Sequence, residues 1–279
     1  MKALYHYTTG AGLLGMLKDY SVENPNLTMW ATHYMYMNDP TEFEYGRTIC
    51  LDIIDEIEED LQIEEESHIK KIVTGKQFQK CLLKARRHLK PEDIGLCPYL
   101  ISLSQAEDSL HMWNMYATNG NGIAITFNSK ELKKVYSLRE CVYYTKKKHY
   151  ENIKKKIREH YHRYANKFQI DNSPIFNACY VELMISLLEG IFIKHCSYKD
   201  EKEVRFVASQ AKEILFRDKN GLIIPYVEQK VPFECVENII VGPTADFNRV
   251  RESILLLMNS RGIMWDEDRI IKSNVPYRE

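Results

Sequence analysis

Two hydrophobic rhythms alternate along the chain, and together they predict most of its elements. Ala3 to Thr8 has the short apolar character of a strand, and Leu13, Leu14, Met16 and Leu17 then lay an apolar stripe on a short helix. Leu27 to Ala31, Tyr99 to Ser104, Ile123 to Phe127 and Cys141 to Tyr144 predict further strands. Glu203 to Ala208, Leu222 to Val227, Asn238 to Val241 and Arg269 to Ser273 complete the set. A helix over Ala245 to Ser260, ended by Gly262, lies between the last two. Ser104 and Glu107 have the Ser-x-x-Glu spacing of a capping box, which predicts a helix that turns Leu110, Trp113 and Tyr116 inward before Gly120 and Gly122 break it.

Longer helical patterns fall between these strands. Asp39, Pro40 and Glu42 occupy the N-cap, first and third positions of a helix start. From Asp52 to Glu66 there are nine acidic side chains and no base, with Ile53, Ile54, Ile57, Leu61 and Ile63 at helical spacing. A basic counterpart runs from Arg139 to Arg163, dominated by Lys146 to Lys148 and Lys154 to Lys156. The two runs could face each other or face water, and solvated faces are the expectation. Asp171 to Pro174 caps a helix that runs to about His195 and is apolar almost all round, so it is expected to be buried, with Glu182 and Glu189 in need of partners or an exposed face. No βαβ rhythm recurs and no GxGxxG follows a strand, which disfavours a dinucleotide-binding Rossmann domain. The expected class is α+β, a split and mostly antiparallel sheet core in a single domain over 1–279, with helical insertions at about 40–95 and 146–197.

Charge and cysteine usage narrow the function classes. Lys+Arg of 38 against Asp+Glu of 39 leaves a net charge of -1, so no global field attracts nucleic acid or an anionic membrane. The seven cysteines show no CxxC and no zinc-site spacing, and are expected to be reduced thiols in a cytosol. No export signal opens the chain, and no apolar run approaches the roughly 18 to 20 residues of a membrane span. A cytoplasmic protein is expected.

Three groups carry candidate chemistry: His6-Tyr7-Thr8 on the first strand, Ser102 and Ser104 on a middle strand, and Glu201, Glu203 and Arg205 at a late one. Each also has a plainer role available. His6 suits a hydrogen-bonded core histidine, Ser104 a helix cap, and Glu203 with Arg205 a salt-bridge ladder. Trp113 and Tyr116, at helical i, i+3 spacing, suit a core.

The same motifs carry a family resemblance. Tyr5-His6-Tyr7-Thr8, Asn38-Asp39-Pro-Thr-Glu42, Ser102-x-Ser104 with Asp108, Trp113 and Tyr116, Lys199 before Glu201-x-Glu203-x-Arg205, Gly242-Pro243 and the tail Ser273 to Arg278 occur in one order. On them the chain is identified as a member of the bacterial domain-of-unknown-function family numbered twenty-nine seventy-one, over nearly its whole length. The order of imidazole, Ser-x-Ser and Glu-x-Glu also resembles that of ADP-ribosyltransferases.

What the second resemblance implies is NAD as substrate, with no metal. Cleaving the nicotinamide–ribose bond passes through an oxocarbenium-like state, which a fixed carboxylate stabilises. The resemblance gives that role to Glu203. Glu201, expected on the same strand face, would activate the acceptor, be it a protein, a nucleic acid or water. His6 would bind the ribose or the carboxamide, Ser102 or Ser104 would brace Glu203, and Arg205 or Lys199 would meet the pyrophosphate. Tyr36 is expected to stack on nicotinamide, with Tyr7 and Tyr34 as alternatives, and Tyr7 and Thr8 border the nucleotide. The resemblance places such an enzyme among bacterial toxins or phage-defence effectors. Two other readings stay open: a metal-dependent nuclease or phosphoesterase using Asp39, Glu42, Asp108, Glu201 and Glu203, and a non-catalytic nucleotide-sensing module.

Overall fold

A computed structural model describes residues 3–37, 40–65, 69–88, 98–144, 146–165, 173–208, 213–219 and 221–277. The chain divides into two compact units: residues 1–33, 98–141 and 197–279 form unit 1, and residues 34–97 and 142–196 form unit 2.

Unit 1 is built on a ten-stranded, mostly antiparallel sheet. Its strands are β1 (Leu4–Thr8), β2 (Asn26–His33), β3 (Tyr99–Ser104), β4 (Ile123–Phe127), β5 (Arg139–Glu140), β8 (Glu203–Val207), β9 (Leu215–Lys219), β10 (Leu222–Pro232), β11 (Val236–Val241) and β12 (Ile270–Lys272). They run in the order β12-β11-β4-β1-β3-β2-β10-β9, with β8 beside β3 and β5 beside β8. Among the described residues the one parallel pair in this sheet is β11 with β12.

β3 is the junction. β8 pairs with it from Leu100 to Ser104 and so takes up one edge. The other edge is shared, because β1 meets it at Ser104 and β2 meets it at Tyr99 and Leu100. The sheet therefore forks between β1 and β2, and the helix α1 (Gly10–Met16) connects the two prongs. Thr9 caps α1, its hydroxyl accepting from the Gly12 N–H at 3.2 Å.

Strand alternation sorts the side chains onto two faces. On one, Leu4, Leu103, Ile123, Ile125, Val204, Phe206 and Val241 join Leu13 and Met16 of α1, Leu132 of α5 (Ser129–Val135) and Ile254 and Met258 of α8 (Phe247–Ser260) in the main core. On the other, Tyr5, Tyr7, Ala124 and Ile240 pack against Met112 and Trp113 of the short helix α4 (Leu110–Tyr116). Burying each such apolar side chain contributes about 1.5–3 kcal/mol.

Unit 2 holds the helices α2 (Pro40–Glu65), α3 (Ile69–His88), α6 (Lys146–Ala165) and α7 (Ser173–Leu188), with the short parallel pair β6 (Val142–Tyr144) and β7 (Ile193–His195). The stretches expected as helical insertions supply most of it. Its core gathers Ile53, Ile54 and Ile57, Phe78 and Leu82, Ile153 and Ile157, and Leu183. The charge runs do not simply face water: Lys154 pairs with Glu56 and Arg158 with Asp60, so basic α6 lies along acidic α2. The apolar residues of both helices share one core, which brings their flanking charges together; such half-exposed pairs add about 0–1 kcal/mol each. Glu182 finds its partners in the Tyr164 hydroxyl at 2.7 Å and Arg163 at 2.8 Å.

Other expectations need correction. α7 ends at Leu188, and Ile193 to His195 is a strand, because the apolar run that reads as helix continues into a buried edge pair. β9 carries too many charges to announce itself as a strand. Arg139 and Glu140, which open the basic run, form a short strand. Asp39, proposed as an N-cap, lies outside the described residues.

His33, at the end of β2, is 3% exposed and edge-on to Tyr99 at 5.2 Å. Burial pulls its imidazole down to about 4. The unfolded chain, titrating near the ordinary value, takes up a proton first, so the stabilisation from neutral His33 is complete above about pH 6.5 and is lost as pH falls toward 4. We expect unit 1 to lose about 3 kcal/mol over that window from this residue. His33→Phe should flatten that part of a stability–pH profile followed by tryptophan fluorescence; an unchanged slope refutes it.

Candidate functional site

The side of β3 and β8 opposite the main core carries the polar cluster. Register pairs Tyr5 with Ser104 and Ser104 with Glu203, so these three lie in one row across three strands. One step along, Ser102 lies beside Arg205 on the same face. Glu203 is 6% exposed and Arg205 is 2% exposed. Two residues apart on one strand, they project together, and the guanidinium donates through Nε to Oε1 at 2.6 Å and through Nη2 to Oε2 at 2.9 Å.

Glu201 arrives differently. It ends a 3-10 turn over Cys196–Glu201 and does not belong to β8. Lys202, at φ 44°, swings the chain from that turn into the strand. The expectation that Glu201 and Glu203 share one strand face therefore fails, yet Glu201 remains in the cluster. The Tyr116 hydroxyl donates to its Oε1 at 2.7 Å, and the Ser104 hydroxyl donates to its backbone carbonyl at 2.6 Å. Lys199, in the same turn, is exposed.

Ser104 is not a helix cap. Its Oγ accepts from the Ala106 N–H at 2.9 Å while donating to Glu201, which knots the end of β3 to the start of β8. The helix begins later, at Leu110 with Ser109 as N-cap, and Leu110 is exposed. Asp108 organises that entry at φ 41°. Its Oδ1 accepts from the Trp113 indole at 2.8 Å and the Ser273 hydroxyl at 2.6 Å, and its Oδ2 accepts from the Asn274 N–H at 2.7 Å. The tail after β12 is thereby fastened over α4. Tyr7 completes the shell: its hydroxyl donates to the Ala106 carbonyl at 2.7 Å and accepts from the Ser109 N–H at 3.1 Å. Burial pushes the phenols of Tyr5 and Tyr7 above their ordinary range, and the neighbouring Glu107 adds to it at Tyr5.

His6 does not join this cluster. Tyr5 and Tyr7 face the Ser104 side, so His6 between them projects with Leu4 and Thr8 toward the other. Its Nδ1–H reaches the Ser102 carbonyl at 3.4 Å, at the fork where β3 has no strand on that edge. Burial holds this imidazole below its usual value. Thr8 lies on the His6 side of β1, opposite Ile123. Tyr34 and Tyr36 belong to unit 2, in the 3-10 turn that follows β2, and are not among the residues of the sheet. Of the expected site, unit 1 brings together Tyr7, Ser102, Ser104, Glu201, Glu203 and Arg205.

Tyr116 and Asp108 were legible as motif residues but not as partners of Glu201 and of the tail. Their roles rest on contacts between positions 85 and 166 residues apart. Among the described residues no group of three or more His, Cys, Asp or Glu side chains is placed to hold a metal ion, and no helix is long and apolar enough to cross a membrane.

Residues 112–206 match the model of a family described as Protein of unknown function (DUF2971), which supports the assignment that the motifs suggested. The match runs from α4 to β8 and takes in Trp113, Tyr116, Glu201, Glu203 and Arg205. No curated protein and no solved structure matches the chain.

Proposed function

We propose that the Ser104–Glu201–Glu203 cluster of unit 1 cleaves the N-glycosidic bond of NAD, passing ADP-ribose to an acceptor or to water. The observation that carries this reading is the approach of two buried carboxylate residues to one serine. Glu203 is the cross-strand neighbour of Ser104, and Glu201 takes the Ser104 hydroxyl on its backbone. In this reading Glu203, oriented by Arg205, binds the ribose and offsets the positive charge that develops on it as nicotinamide leaves. Glu201, steadied by Tyr116, receives the proton of the acceptor. Left-handed backbone at two non-glycine positions, Asp108 and Lys202, flanks the cluster, and strain of that kind gathers at working sites. His6 has no part, being turned to the other side of β1.

The test is release of nicotinamide from NAD, with and without EDTA. Release that resists chelation is expected. Glu203→Gln should lower the rate about 100 to 1000-fold, with circular dichroism reporting whether the fold survives loss of the Arg205 partner. Tyr116→Phe, which removes one hydroxyl, should lower the rate while leaving the melting curve close to wild type. Absence of release, or an unchanged rate in a folded Glu203→Gln variant, ends this reading.

A further inference from the structure

A second cluster, on the edge of the sheet, has no role in the reading above. Arg217 on β9 has its guanidinium 5.2 Å from the Trp30 ring and 5.7 Å from the Tyr226 ring. The two rings lie 5.0 Å apart. Its Nη2 donates to the Thr32 hydroxyl at 2.9 Å, while its Nε is buried without a hydrogen-bond partner. No carboxylate among the described residues pairs with it. Asp218 alternates to the opposite face, and Glu228, the acid nearest along the row of Trp30, is engaged by Lys18. Lys219, two residues on, projects on the Arg217 side and is exposed. Partial desolvation of this otherwise exposed side chain and the neighbouring guanidinium both pull its ammonium below the ordinary range.

Holding the partly desolvated Arg217 guanidinium without a carboxylate is unfavourable, and an arriving anion offsets it. Arg presents a planar fork suited to phosphate, and the aromatic floor beneath it costs no charge. Trp30 is 37% exposed while Tyr226 is 8% exposed, so the indole is the ring open to a ligand. We propose that this corner of β2, β10 and β9 is a nucleotide-binding site, with the base against Trp30 and the phosphates on Arg217 and Lys219.

The ligand is of mononucleotide size. A polynucleotide site needs a run of cations along its track, and the next cations beside this face, Lys18 and Lys230, are already engaged by Glu228 and Asp19. Four strand positions separate β9 from β8, on the order of 19 Å. The proposal is thus independent of the chemistry assigned to Glu203.

The experiment is titration of the full chain with ADP, followed by calorimetry and tryptophan fluorescence. Saturable binding with quenching is expected, weakened about tenfold or more in Arg217→Gln and measurably in Lys219→Gln, whose exposed position leaves the fold intact. ADP should bind more tightly than inorganic phosphate, the difference being the stacked base. The proposal falls if millimolar ADP does not bind or if both substitutions leave its affinity unchanged. It also falls if phosphate binds as tightly as ADP, or if a short single-stranded oligonucleotide binds far more tightly than either.

Discussion

Arg205→Ala is expected to lower the stability of unit 1 by about 3–5 kcal/mol. The side chain is 2% exposed and forms a two-pronged pair with Glu203, itself 6% exposed, so the substitution leaves a carboxylate inside without the guanidinium that neutralised it. Against a total of about 5–15 kcal/mol for a typical domain, this is a large share. The measurement is denaturant unfolding followed by tryptophan emission, which reports unit 1 because Trp30, Trp113 and Trp265 all lie in it. Removing both charges together, as Glu203→Leu with Arg205→Met, should cost much less than the sum of the single changes, since a buried pair replaced by apolar side chains of similar volume is often tolerated. Additive losses would show that the two side chains do not act as a pair. Nicotinamide release should vanish in the double variant even where the fold is restored, because the proposed chemistry needs the carboxylate itself.

Trp113→Ala carries an expected loss of similar size, about 3–5 kcal/mol, by a different route. The indole is fully buried, lies edge-on to Tyr7 at 4.9 Å and donates to Asp108. Its removal opens a cavity beneath α4 and takes away one of the three donors that hold Asp108. Trp113→Phe separates the two effects: the ring contact with Tyr7 is largely kept while the donor is lost, so roughly 1–3 kcal/mol of the penalty should remain. Asp108 also holds Ser273 and Asn274, so proteolysis of the tail should accelerate in both variants and more in Trp113→Ala. A tail equally resistant in all three proteins would break the proposed link between α4 and the C-terminal segment.

Short-range signals and the structure agree. Tyr99 to Ser104 and Ile123 to Phe127 are strands with those bounds, and α8 ends at Ser260 with Gly262 at φ 72° behind it, because apolar runs, caps and glycines act over a few residues. Segments whose character depends on distant partners were misread. β9 is polar and becomes a strand only beside β10, and Ile193 to His195 continues an apolar helix pattern until β6 pairs with it.

The candidate site shows the same division. Ser104, Glu203, Arg205, Trp113 and Tyr116 stand together in the motif order, and tertiary structure gathers them around one end of β3. Which face each strand residue takes was not visible, since alternation defines two sides without saying which side of one strand matches which of the next. The pairing of Tyr5 with Ser104 and of Ser104 with Glu203 decided that, sending Tyr5 and Tyr7 to the carboxylates and His6 to the fork. The amino-acid sequence by itself determined most of the elements and the chemistry available to them. Strand register, a set of hydrogen bonds between segments about a hundred residues apart, decided which of those groups meet.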